Sequence, residues 1–193
     1  VLISTLVLLL SGALAFCITE WNGPAFAGMT PGQKILNGFF QSVTVRTAGF
    51  ASIDQAALTE GGKAVSILLM FVGGSSGSTA GGVKVVTFVT LLLFIWNRAR
   101  GRSAVNVFHR QIPQEKVMDA MTIASIVVGL AIFGGVFISA TSSVGFTDAL
   151  YEAVSAIATV GLTAGATGDL SIPAQILIII YMYFGRVGVL TIS

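Results

Sequence analysis

The chain has 193 residues, 54% of them hydrophobic and 9% charged, with a formal net charge of +2 and a mean hydropathy of +0.92. That balance excludes an ordinary soluble domain and argues against nucleic acid as a partner. The composition is that of an integral membrane protein, expected to be multi-pass.

The first predicted element is an apolar outer helix over 1–19, close to the roughly 20 residues a spanning helix needs. A signal peptide is the rival reading, but the segment has no basic leader and no compelling cleavage site. Cys17, the single cysteine, lies inside this span and can form no internal disulfide. Next comes a short helix at about 35–45, ending in Arg46-Thr47-Ala48-Gly49-Phe50. A long apolar run over 62–97 is interrupted by Gly73-Gly74-Ser75-Ser76-Gly77-Ser78-Thr79-Ala80-Gly81-Gly82, in which five of ten residues are glycine. Each glycine costs about 1 kcal/mol in a helix relative to alanine, so the run is expected to break into halves at about 62–72 and 83–97. The serine and threonine hydroxyls can satisfy the freed backbone groups. A phosphate-binding loop would need Lys-Ser or Lys-Thr directly after Gly82, and Val83 stands there instead.

A basic segment follows. Arg98, Arg100, Arg102, Arg110 and Lys116 cluster with His109, whereas Glu20, Asp54, Glu60, Asp148, Glu152 and Asp169 fall in other connections. Basic residues collect on the cytoplasmic side, which places 98–119 in the cytoplasm and the acids outside, where they could concentrate cations. A second outer helix is expected over 117–141, a second short helix at about 147–157 ending in Thr159-Val160-Gly161-Leu162, and an inner helix over 173–193.

The two halves repeat. The ungapped offset that carries Gly49 onto Gly161 also carries Ile67 to Gly73 (ILLMFVG) onto Ile179 to Gly185 (IIYMYFG), Phe39 onto Tyr151 and Thr79 onto Thr191. Agreement in register across separated segments points to duplication. The expected fold is all-α and membrane-embedded, with two tandem units of outer helix, pore loop and inner helix. The first covers 1–97, with pore helix and filter at 34–50, and the second covers 117–193, with pore helix and filter at 147–162. They are joined by a basic cytoplasmic loop over 98–116.

Helices too short to cross dip in and return, their non-helical ends lining a watery path or buried in protein; the alternative makes 34–60 and 146–172 ordinary extracellular loops that each carry an amphipathic helix. Threonine, a small or β-branched residue and glycine suit a backbone that turns carbonyl oxygens toward a cation. Thr47, Ala48, Gly49, Phe50, Thr159, Val160, Gly161 and Leu162 are therefore the candidate filter, and 73–82 the candidate gate. Lys84 and Arg186 are basic residues within inner-helix spans, where charge is costly. Arg186 lies one position beyond Gly185, at the depth of the break, and could donate to the glycine-rich loop. Lys84 could do so or snorkel to the cytoplasmic interface. Arg46 is expected to brace the filter from behind. The sequence has no catalytic constellation or metal-ligand cluster, so no enzymatic activity is expected.

SVTVRTAGF, FVGGSSGSTAGGVKVVTF, and ATVGLTAG followed by YFGRVGVLT resemble the Trk/Ktr/HKT superfamily of potassium transporters, most closely its Ktr-type membrane subunit. The resemblance extends over nearly the whole chain and implies the third and fourth of four repeats around one pore, the chain being a fragment of a longer protein. It further implies potassium uptake, stimulated by sodium, with K+ coordinated by filter carbonyls and no covalent cofactor. Implied partners are the remaining two repeats, a second complete subunit in a homodimer, and a cytosolic nucleotide-binding ring subunit near the basic loop. The implied location is the bacterial inner membrane. An alternating-access carrier with discontinuous helices is the alternative mechanism, and a non-transporting helical assembly module the alternative class.

Overall fold

The computed structural model describes residues 2–74, 81–101, 106–107, 110–111 and 113–191. Among the described residues, seven α-helices run in the order α1 (Leu2–Glu20), α2 (Pro31–Thr44), α3 (Glu60–Phe71), α4 (Val85–Ala99), α5 (Gln114–Thr141), α6 (Phe146–Ile157) and α7 (Ile172–Thr191). The expectation of an all-α chain needs one amendment. Between α4 and α5, Asn106–Val107 (β1) pairs antiparallel with Arg110–Gln111 (β2).

Local chemistry sets the helix starts. In α2, Thr30 and Gln33 form a reciprocal capping box and Pro31 occupies the first turn. Thr59 caps α3 by accepting from the Gly62 amide at 3.1 Å. Leu2–Glu20 and Gln114–Thr141 are long and apolar enough to cross a bilayer, and Val85–Ala99 and Ile172–Val187 are shorter apolar helices. With 14 and 12 residues, α2 and α6 reach only about 21 and 18 Å at 1.5 Å per residue, short of a hydrocarbon core about 30 Å thick.

The core gathers around α6, where every residue from Tyr151 to Ile157 is buried. It packs against α5, α3 and α7, and a helix apolar and buried on all sides belongs at a molecular centre. The corresponding helix of the first half, α2, packs on α1 and leaves Ile35, Leu36, Phe39, Phe40 and Val43 exposed. The halves are joined on one side by an ion pair between the buried Lys63 Nζ of α3 and the half-buried Asp148 Oδ1 of α6 at 2.6 Å.

Two acids of the expected outer face are buried instead of solvated. Glu20 ends α1 and is fully buried, its Oε1 accepting from the Thr59 amide at 3.0 Å and from the Thr59 hydroxyl. Glu152 is buried in α6 and accepts from the Ala164 amide at 3.0 Å and from the hydroxyls of Thr163 and Thr167. Both are internal acceptors, because the N-terminus of α3 and the segment after Gly161 each present donors that need one. Among the acids outside the basic segment, Asp54, Glu60 and Asp169 are exposed.

Candidate functional site

Both short helices end in the same backbone device. Thr47 has φ 71° and Gly49 φ 77°, and Thr159 has φ 55° and Gly161 φ 87°. Thr47 and Thr159 are the two non-glycine residues in that region among the described residues. Each such threonine costs about 1–3 kcal/mol of backbone strain and persists only where its surroundings hold it.

Hydroxyls on the helices hold the far end of each turn. Thr44 Oγ1 accepts from the Phe50 amide at 2.8 Å and also donates to the Phe50 carbonyl, and Ser155 Oγ donates to the Leu162 carbonyl at 2.6 Å. Phe50 falls on Leu162 at the repeat offset, but Thr44 falls on Ala156, one position after Ser155. The second half thus carries one more residue between its anchoring hydroxyl and its filter threonine. The two turns abut, since a Cβ built at Gly49 would overlap the Val160 carbonyl oxygen and lie 3.9 Å from Gly161 Cα. Around Gly161 no described atom stands within 4 Å of the corresponding position.

The broken helix approaches the second turn. The chain leaves α3 at Phe71 and enters α4 at Val85, and the two ends of the break are pinned to each other. Gly73 N donates to Val83 O at 2.9 Å, Val83 N to Phe71 O at 3.1 Å and Val85 N to Gly74 O at 3.2 Å. Of the candidate gate, Gly73, Gly74, Gly81 and Gly82 are described, and Ser75, Ser76, Gly77, Ser78, Thr79 and Ala80 lie outside the described residues. Gly81 donates its amide to Thr159 Oγ1 at 2.8 Å. Its own Cβ position would fall 2.8 Å from that hydroxyl and 2.9 Å from the Ala158 carbonyl oxygen, so only glycine approaches this closely. Gly185 closes the other side, since a Cβ there would overlap the Ile157 carbonyl oxygen and sit 3.1 Å from Thr159 Cγ2.

The three basic candidates sit differently. Lys84 is half-buried at the N-cap of α4, directly after the pinned break. Arg186 is exposed on α7, one residue beyond Gly185, and any contact with 75–80 falls outside the described residues. Arg46 is half-buried, and its Nε is buried without a hydrogen bond to a described residue.

Sequence reasoning missed a set of buried polar side chains behind the turns. Gln41 of α2 and Gln55 form a reciprocal amide pair, with Gln55 Nε2 donating to Gln41 Oε1 at 3.1 Å and to Ile53 O at 3.1 Å. Tyr151 of α6 donates its hydroxyl to Gln55 Oε1 at 3.2 Å. The available signal was the offset itself, which pairs Phe39 with a tyrosine at 151. Beside Asp148 and Lys63 opens a hollow of about 330 Å³, lined also by Ser143, Gly165 and Asp169.

The chain matches a family model described as TrkH, cation transport protein, over residues 1–193. It is 38% identical over 192 residues to the potassium/sodium uptake protein NtpJ of Enterococcus hirae, covering 97% of this chain and 43% of the relative. It is 38% identical to the Ktr system potassium uptake protein B of Vibrio alginolyticus, covering 100% of this chain and 42% of that one. With the Ktr system potassium uptake protein B of Bacillus subtilis the identity is 35%, covering 98% and 43%. The chain therefore spans about two-fifths of the length of these relatives. Among solved structures, the potassium transporter TrkH from Vibrio parahaemolyticus superposes with a TM-score of 0.76 at 21% identity, covering 98% of this chain and 42% of that one, which speaks to the fold. With a family model matched from end to end, the chain belongs to the TrkH family of cation transport proteins.

Proposed function

We propose that this chain supplies two of four pore loops of a membrane protein for potassium uptake, selecting the ion with backbone carbonyls at Thr47–Phe50 and Thr159–Leu162. The observation that carries the reading is the pair of left-handed Thr-x-Gly turns, matched at the repeat offset and abutting at Gly49 and Val160. Strain repeated in register and held by hydroxyls of the preceding helices is what a preorganised cation cage requires. The names of the relatives, which speak of potassium or of potassium and sodium uptake, agree with it.

The remaining two loops are proposed from the packing of the short helices. Helix α6 is covered by α3, the inner helix of the preceding half, whereas the same side of α2 is exposed at Leu36 and Phe39, which match Asp148 and Tyr151 at the repeat offset. By that rule an inner helix of an earlier repeat covers α2. The 73–82 segment acts as the gate, since Gly81 already reaches Thr159, and Lys84 and Arg186 flank it. Stimulation by sodium, a homodimer of complete subunits, a cytosolic nucleotide-binding ring subunit near the basic loop and residence in the bacterial inner membrane complete the proposal. No chemical bond is made or broken in this mechanism.

The test is rescue. The full-length protein expressed in cells lacking potassium uptake should restore growth at low external potassium, and purified in vesicles it should carry 86Rb+ down its gradient. Absence of both growth and tracer flux, with the protein abundant in the membrane, would overturn the reading.

A further inference from the structure

We infer that Gln41, Gln55 and Tyr151 form a clamp that sets the spacing of the two filter turns, and so determines how strongly potassium is preferred over sodium. This rests on the carbonyl-filter reading above.

The three side chains come from three separate elements. Gln41 lies on α2 three residues before Thr44, whose hydroxyl holds Phe50. Gln55 lies six residues beyond Gly49, on the chain returning from the first turn, and Tyr151 lies on α6 eight residues before Thr159. All are buried, with relative exposures of 0%, 4% and 0%. Gln55 is saturated: its Oε1 accepts from Gln41 Nε2 and Tyr151 Oη, and its Nε2 donates to Gln41 Oε1 and to the Ile53 carbonyl. A fully satisfied amide in a dry interior has one orientation, because any rotation leaves a buried donor or acceptor unpaired.

Within the second half the equivalent task falls to a different residue. Glu152 on α6 accepts from Thr163, Ala164 and Thr167, on the chain returning from Gly161. At the repeat offset Gln41 falls one position after Glu152, the same displacement that separates the anchoring residues Thr44 and Ser155. Besides its anchoring hydroxyl, each short helix thus carries a buried polar side chain that ties down its own returning chain. Among the described residues, only the first tie is extended to the other half, through the Tyr151 hydroxyl. Its counterpart at the repeat offset is Phe39, which has no hydroxyl and is 43% exposed. The clamp therefore belongs to the joint between the two halves, the joint at which Gly49 meets Val160.

A carbonyl cage discriminates between cations through the positions and freedom of its oxygens. A group that fixes one turn against the next acts on those positions without touching the ion. Tyr151 and Gln55 are thus positioning residues for selectivity. Loss of one buried hydrogen bond leaves the Gln55 oxygen short of a donor while the aromatic packing stays intact.

The experiment uses the full-length protein in vesicles, with 86Rb+ and 22Na+ uptake normalised to the amount of protein incorporated. Tyr151→Phe removes a single oxygen and should raise the sodium-to-rubidium uptake ratio about fivefold or more, with the maximal 86Rb+ rate within twofold of wild type. Gln55→Met keeps length and removes both amide atoms, and it should raise the ratio at least as far. A role confined to stability would lower the incorporated protein and leave the normalised ratio unchanged in both variants, which would overturn the clamp. A wild-type protein that carries both ions equally would instead overturn the filter reading beneath it.

Discussion

Thr159 is the residue on which most of the site converges. It is left-handed at φ 55°, accepts the Gly81 amide and is flanked by Gly185, so the strain of the proposed filter and the position of the proposed gate meet in one side chain. Replacing it by valine keeps the shape and removes the acceptor, leaving the Gly81 amide unpaired at a cost of about 1–3 kcal/mol. If the closed loop depends on that bond, Thr159→Val should raise passive 86Rb+ leak through the full-length protein about tenfold, and Thr159→Ser should leave it near wild type. Equal leak in both variants would remove the coupling. The threonines and glycines of the turns could be read from spacing alone, because their chemistry is local. The acceptors Glu20 and Glu152 could not, since a carboxylate reads as solvated until the fold delivers the Thr59 amide, or the Ala164 amide and two threonine hydroxyls, to it.

Contacts between helices join the two halves. Lys63 and Asp148 join α3 to α6 with side-chain exposures of 9% and 30%, so their attraction is only partly screened by solvent. Lys63→Met leaves a half-buried aspartate without its counter-ion and should destabilise the protein by about 1–3 kcal/mol. Thermal melting of the purified full-length protein checks this, and Lys63→Met combined with Asp148→Leu should regain most of the loss. A double variant no more stable than the single one would contradict the pairing. Element limits differ in how far the sequence reveals them. The break after Phe71 follows from glycine content, a property of the segment itself. The start of α2 at Pro31, four residues before the expected 35, follows from the Thr30–Gln33 capping box, a signal that lies in polar residues outside the apolar periodicity. The short ladder at β1 and β2 has no apolar alternation to announce it.

At the scale of the molecule, two halves of one design are used unequally. The second short helix is the buried centre, and the first is left with an apolar side that matches the covered side of the second. One ungapped offset carries the left-handed turn of the first half onto that of the second. The turns repeat in register while the anchoring side chains of the short helices shift by one position, whereas contacts between halves, such as Tyr151 with Gln55, have no counterpart in the repeat and appear only when the halves are packed. The central claim is that the paired left-handed turns select the transported cation. Gly161 tests it most directly, because its Cβ position meets no described atom within 4 Å while its φ of 87° still demands glycine. The decisive measurement is the ratio of 86Rb+ to 22Na+ uptake by the full-length protein carrying Gly161→Ser: a preference reduced at least about tenfold is the expected result, and an unchanged preference in a protein that still transports would contradict the account.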